Sequence, residues 1–405
     1  MRPTTVLAAV IIVSIVATGA LVLADPQIFL GAGNSPSTSA NNSLTGPVEG
    51  SFPGSFYQAP QHDLFRSQGL WWTFENTGTN VNYRTSPDGL VWSEPIALLN
   101  STFTTQYSFA PWVQGDTLYY AAAHIFGNSS TGPARNFLYR FGTLEASGKI
   151  SWTVANTQVP TQNHIFVDAI ASDSAGNVWV AGAVGNSTVS LEVYRNSGND
   201  SQWELAKSIS GGYETGYSTL VPIQTGMALL YGGAPNSCCT SSPIYVTTTT
   251  NGGMTWSPTV SPPSHDYYMT YSSAVAMGNT IYFLGPSLNS SGLTSFGLWF
   301  WTYTLGSKNT SSETAIAASP VADTLSESNG VLVANYVSNG TIFERVSTDL
   351  GGHWSAPKII AQKELYATLM TSTYSGQFGV LWNGALWNGN QEVGHYAKFY
   401  SASVS

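Results

Sequence analysis

The sequence predicts an all-β protein, a β-propeller of seven repeated units with six as the alternative, after an N-terminal hydrophobic segment. Three observations carry this. A turn pattern that ends in tryptophan recurs along the chain, at 86–92 (SPDGLVW), 249–256 (TTNGGMTW) and 347–354 (STDLGGHW). Short apolar or alternating runs lie between the turns, among them TLYYAAA at 117–123, VWVAGAV at 178–184, TIYFLG at 280–285 and VLVANYV at 331–337. No stretch past residue 30 shows a 3.6-residue period or a helix-capping pattern, so strands are expected throughout.

The chain begins with an apolar run. Residues 6–24 are broken only by Ser14, Thr18 and Gly19 and follow Arg2. Nineteen residues at helical rise approach the ~30 Å hydrocarbon thickness, so this run can be a membrane anchor. Val22-Leu23-Ala24 before Asp25 equally fits the cleavage site of a signal peptide. Both readings of 1–24 place the rest of the chain outside the cell, secreted or tethered, with 6–24 as the one membrane contact if it is uncleaved. Residues 25–54, rich in Ser, Thr, Asn, Gly and Pro, read as a flexible linker, and 55–405 as the propeller. Eight Asn-x-Ser/Thr sequons follow the apolar run, the pattern a glycoprotein would carry.

Each repeated turn has a physical reading. Asn251 or Asp349 can accept backbone N–H bonds of its own turn, and Gly253 or Gly351 can adopt positive φ; the matching positions of the pattern are Ser86 and Asp88 in the first turn and Ser347 in the third. Trp92, Trp256 and Trp354 then cover the turn. The separations between Trp92, Trp152, Trp203, Trp256 and Trp354 are 60, 51, 53 and 98, which places a degenerate unit lacking its Trp near 307–314. A looser form, SDSAGNVW at 172–179, fits a different hairpin of its unit. The seventh unit has room for three strands before Ser405, and a segment around Ser55 to Gln58 is the expected fourth strand that closes the ring.

These turns resemble the Asp-box (BNR) repeats of sialidase-like β-propellers, over about 57–405. The resemblance implies that the boxes are structural, lying on the face opposite the active site. The first box is one residue shorter than the other two. The resemblance also raises sialidase activity, which would need three arginines for the substrate carboxylate. Of seven Arg, Arg2 lies in the leader and Arg84, Arg140, Arg195 and Arg345 precede repeat turns, so only Arg66 and Arg135 remain. A complete arginine triad cannot be drawn from two.

Charge narrows the remaining classes. Charged residues are 9% of the chain and the net charge is −9, with no basic cluster, which excludes a nucleic-acid binder. Hydrophobic residues at 42% and aromatics at 13% exclude a disordered chain. The few polar groups concentrate in the segments that lead from one unit to the next. There lie Asp168, Glu214, Asp266, Asp323 and Glu364 as candidate catalytic carboxylates, and His164, Tyr217, His265, Tyr267 and Tyr366 as candidate ligand contacts. Trp382 and Trp387, in the turn-like run LWNGALWNGN, offer further stacking surface on the same face.

The sequence thus predicts a binding face for a glycan or surface polymer, and leans away from an enzyme. The alternatives are a glycoside hydrolase with two carboxylates at the channel mouth and a structural or adhesive surface protein without a pocket. No cofactor is expected, and no metal, because no His-x-His or similar spacing occurs. Cys238 and Cys239 are the only cysteines. They allow a strained vicinal disulfide or two free thiols, since adjacent Cα atoms sit below the usual disulfide range. Oligomeric state is not legible in the chain.

Overall fold

The computed structural model describes residues 45–53, 64–76, 80–100, 107–124, 137–160, 164–185, 189–196, 202–210, 218–233, 242–262, 265–267, 272–288, 295–318, 320–362, 369–374, 377–388 and 391–403. Among these every regular element is a strand. The protein is an all-β β-propeller. Strand β1 (Thr45–Pro53) is followed by β2 (Leu64–Ser67), β3 (Leu70–Asn76), β4 (Asn80–Ser86) and β5 (Ile96–Asn100), which form sheet one. Sheet two holds β6 (Tyr107–Gln114), β7 (Thr117–His124), β8 (Phe137–Leu144) and β9 (Ile150–Val159). Sheet three holds β10 (His164–Ser172), β11 (Val178–Gly185), β12 (Val189–Asn196) and β13 (Trp203–Ser210). Sheet four is β14 (Ser218–Ile223), β15 (Gly226–Gly232) and β16 (Ile244–Thr249). Sheet five is β17 (Ser273–Met277), β18 (Thr280–Leu288), β19 (Ser295–Thr304) and β20 (Thr314–Ala317). Sheet six is β21 (Pro320–Ser328), β22 (Val331–Ser338), β23 (Thr341–Ser347) and β24 (Lys358–Gln362). Sheet seven is β25 (Leu369–Tyr374), β26 (Gln377–Asn388) and β27 (Gln391–Ser403), with β1 on its outer edge.

Each sheet is antiparallel and meanders outward from its first strand. Apolar clusters fill every junction. Phe74 and Tyr120 join sheets one and two, Val180 and Tyr139 sheets two and three, and Trp179 and Leu229 sheets three and four. Phe283 and Leu230, Phe300 and Leu332, and Ile342 and Val380 continue the series. Leu381, Phe399, Trp71 and Leu64 then join sheet seven back to sheet one. The ring is closed in sequence by β1, whose residues Val48 to Pro53 pair antiparallel with Ser401 to Tyr396 of β27.

This corrects two expectations. The closing strand lies at 45–53, inside the segment read as linker, while Ser55 to Gln58 fall outside the described residues. An outer-edge strand needs only backbone donors and acceptors, so its Gly- and Pro-containing composition resembles a linker. Trp382 is also displaced from its expected loop. It sits within β26, 2% exposed, packed with Ile342 and Tyr400 between sheets six and seven. The hydrophobic segment and both cysteines lie outside the described residues.

The three Trp-terminated turns share one construction between the third and fourth strands. Asp88 Oδ1 accepts from the N–H of Leu90, Asn251 Oδ1 from Thr255 and Asp349 Oδ1 from His353. The hydroxyls of Ser86, Thr249 and Ser347 accept from the N–H of Gly89, Gly253 and Gly351 at 2.8, 2.9 and 2.7 Å. Those glycines have φ of 79°, 86° and 93°, and a Cβ on each would strike the preceding sheet, at Phe399, Ala206 and Phe300 respectively. Each Trp then stands edge-on to an aromatic ring of that sheet: Trp92 on Phe399, Trp256 on Trp179 and Trp354 on Phe300. The shorter first turn reaches the same end point.

A serine after each Trp completes the turn. The N–H groups of Ser93, Ser257 and Ser355 bond back to the third strand at Thr85, Thr248 and Val346, all at 2.8 Å. Ser311 does the same to Thr302, so the degenerate unit near 307–314 is a fourth such turn with Thr310 in the Trp position. The looser 172–179 pattern belongs to the first hairpin of sheet three, where Asp173 accepts from Asn177 and from the indole of Trp179.

Two predictions follow from packing and burial. Gly306 has φ of 82° with open space around it, whereas a Cβ on Gly351 would lie 2.1 Å from Phe300. Gly306→Ala should cost about 1 kcal/mol in urea unfolding, and Gly351→Ala about 3 kcal/mol from positive φ plus overpacking. Equal costs would remove the ring contact from the account. Glu344, 2% exposed with Oε2 unpartnered, has its carboxyl pushed up to about 7 by burial, although Lys358 lies 3.7 Å from Oε1. The unfolded chain therefore ionises first, and stability falls as pH rises from about 4.5 to 7. Glu344→Gln should flatten that slope in melting curves taken across this range.

Candidate functional site

The turns described above lie at one end of the ring, and the segments that cross from one sheet to the next lie at the other. At that second end the fourth and fifth sheets are stitched by one residue. The backbone of Tyr267 bridges Ser242, ahead of β16, and Ser287, near the end of β18. This segment takes the place of a fourth strand in sheet four, with Val260 bridging Val246.

Four side chains converge here. Glu313, whose side chain is 3% exposed, accepts from the Tyr267 hydroxyl through Oε1 and pairs with His265 Nδ1 through Oε2 at 2.9 Å. Tyr267 is fully buried, edge-on to Phe283, and burial together with the Glu313 carboxylate pushes its phenol well above the ordinary range. It is therefore a fixed hydrogen-bond donor to Glu313. His265 stacks on Trp299 with centroids 4.0 Å apart and planes 24° from parallel, and the Trp299 indole donates to Ser287 Oγ at 3.0 Å.

The pairing fixes the imidazole. With the Glu313 carboxylate as acceptor, Nδ1–H is the donor of this bond, which leaves Nε2 as the edge free to meet a ligand. His265 keeps 27% of its side chain in solvent. The result is a flat aromatic stack with a polar edge, backed by a buried acid. It can stack on an apolar ring face and make one hydrogen bond at Nε2.

The other expected residues are distributed. Asp168, in β10, accepts from Ser218 Oγ at 2.8 Å, which ties sheet three to sheet four. Asp266 is exposed. Asp323, in the innermost strand of sheet six, is 7% exposed with both carboxylate oxygens unpartnered, and burial pushes its carboxyl well above the usual range. These three acids stand in different parts of the ring and no hydrogen bond joins any two of them. Glu214, Tyr217, Glu364, Tyr366, Cys238 and Cys239 lie outside the described residues, as do the side chains of His164 and Trp387. Among the described residues no group of three His, Cys, Asp or Glu is placed to hold a metal ion.

The described arginines serve the frame. Arg84 bonds Glu75 at 3.2 Å and the Ser93 carbonyl, and Arg140 donates to the Leu98 carbonyl at 2.8 Å. Arg195 reaches Gly252 in the turn of the next sheet, and Arg66 bonds Gln377. Each of these four is engaged within the fold. Glu313 and Trp299 were not legible as site residues. The one available signal was an acid inside the degenerate 307–314 unit of a chain so poor in charge.

No family model matches the chain, and no curated protein matches it. Among solved structures, the polysaccharide lyase Uly1 aligns with a TM-score of 0.55 at 9% identity, covering 86% of this chain and 91% of that one. The likeness is one of fold. A phage phi92 endosialidase aligns at 0.47 and 10% identity over 88% of this chain and 69% of that chain. A Dyadobacter fermentans protein of unknown function aligns at 0.48 and 10% identity over 89% of this chain and 100% of that one.

Proposed function

We propose that this chain is a seven-bladed, sialidase-like propeller of the Asp-box type that works outside the cell and binds a glycan on the flank formed by His265, Trp299 and Glu313. The observation that carries the reading is the His265–Trp299 stack, partly exposed to solvent and held by a buried carboxylate. A sugar ring has an apolar C–H face and a hydroxyl rim, and needs a flat aromatic surface with a polar group at its border. The fold shared with a polysaccharide lyase is consistent with a carbohydrate ligand. Seven blades agree with seven sheets and an apolar cluster at every junction, and the Asp-box type agrees with the common construction of the turns. The extracellular placement rests on the apolar run and the sequons.

Purified protein screened on a glycan array and then titrated with the best ligand tests this. His265→Ala should weaken binding by about tenfold or more, the worth of one hydrogen bond and a stacking face, in a chain that still melts cooperatively. Trp299→Leu should do the same. Absence of binding to every arrayed glycan, or full binding by both variants, would remove the proposal.

A further inference from the structure

A second cleft opens on the flank between sheets two and three, outside the His265 site. Its volume is about 420 Å³, and Pro160, Val184, Glu192, Tyr194, Trp203 and Leu205 line it. We propose that this cleft is a separate carbohydrate subsite that takes a sugar ring carrying a free amine.

The cleft is a built site. The Tyr194 hydroxyl donates to Glu192 Oε2, which orients the carboxylate and leaves Oε1 for a ligand. The register sets Glu192 between Gly182 on one side and Ser208 on the other, so no bulky neighbour covers it. Trp203 is held edge-on to Tyr139 with centroids 5.0 Å apart, and its indole N–H is buried without a partner. Leu205 is 53% exposed although it forms a wall of the cleft. An exposed leucine beside a buried indole gives the apolar surface that the C–H face of a pyranose covers.

Charge selects the ligand. Among the described residues no Lys, Arg or His pairs with Glu192. The two nearby cations of the same sheet are engaged elsewhere, Arg195 with Gly252 and Asn177, and Lys207 over the Trp256 ring. A lone carboxylate between apolar walls favours an ammonium group and repels an acidic sugar, and the net charge of −9 acts in the same direction. The cleft runs along the flank of sheet three, from Val184, which pairs with His164 at the start of β10, to Trp203, which pairs with Asn196 at the end of β12.

Calorimetric titration of the full chain at pH 6 with methyl glycosides of glucosamine, glucose and glucuronic acid tests the inference. The amine is charged at this pH. The glucosaminide should saturate and bind about tenfold or more tightly than the glucoside, and the glucuronide should not bind, as expected for one charge-assisted contact. Glu192→Gln should erase the preference for the amine. Leu205→Arg, at an exposed position that the fold tolerates, should abolish binding of the glucosaminide. His265→Ala should leave it unchanged, which separates this cleft from the other site. No saturable binding of the glucosaminide, a preference for the neutral or acidic sugar, or amine binding that survives both cleft variants or is lost in His265→Ala would overturn it.

Discussion

Closure of the ring is the constraint on which the rest of this structure depends. A sheet with two apolar faces is stable in water only when both faces are covered, and here apolar clusters occupy the junction between every consecutive pair of sheets. The last junction, between sheets seven and one, has no partner earlier in the chain to rely on. It is completed by Trp71 and Leu64 against Phe399 and Leu381, and the sheet itself is completed by β1. The turns lock the junctions from one end, since Gly89, Gly253 and Gly351 and the tryptophans Trp92, Trp256 and Trp354 lean on the sheet before them. The site on the flank between sheets four and five inherits this rigidity. Glu313 and His265 come from positions 48 residues apart, and only the seating of sheet four on sheet five brings them together.

Much of this frame is legible in the chain because the turn chemistry is local. Asp349, Gly351 and Trp354 act within one hairpin, so their spacing carries the information, and even the unit without its Trp could be placed at 307–314 from distance alone. Long-range pairing is not written in that way. The closing strand lies in TGPVEGSFP, whose residues look like a linker because an edge strand contributes its backbone before its side chains. Asn-Gly pairs around Trp382 suggest a turn, yet β26 runs through them as part of a 12-residue strand. In the site, His265 and Tyr267 could be singled out in sequence. Trp299 and Glu313 could not, since each reads as an ordinary strand or turn residue until the fold sets it beside the other two.

Scarcity of charge gives each ionisable group a defined use. Arg140 and Arg195 span neighbouring sheets to backbone carbonyls, and Arg84 ties its own turn to Glu75. Several acids are buried instead of solvated. Glu75 is paired with Arg84, Glu344 lies near Lys358, and Asp323 has no partner at all. Burial raises the carboxyl of each of the three, which favours the protonated, folded form as pH falls. Glu192 is different: it accepts from Tyr194 and lines an open flank, while Glu313, itself buried, accepts from Tyr267 and holds the part-exposed His265.

The most direct test of ring closure compares the melting of the full chain with two truncations, one beginning at residue 45 and one at residue 54. If β1 closes the ring, removal of 1–44 leaves the melting temperature unchanged. Further removal of 45–53 exposes the edge of β27 and lowers the midpoint by more than about 10 °C, or turns the chain to aggregation. A chain beginning at residue 54 that melts cooperatively at the full-length temperature would contradict the account.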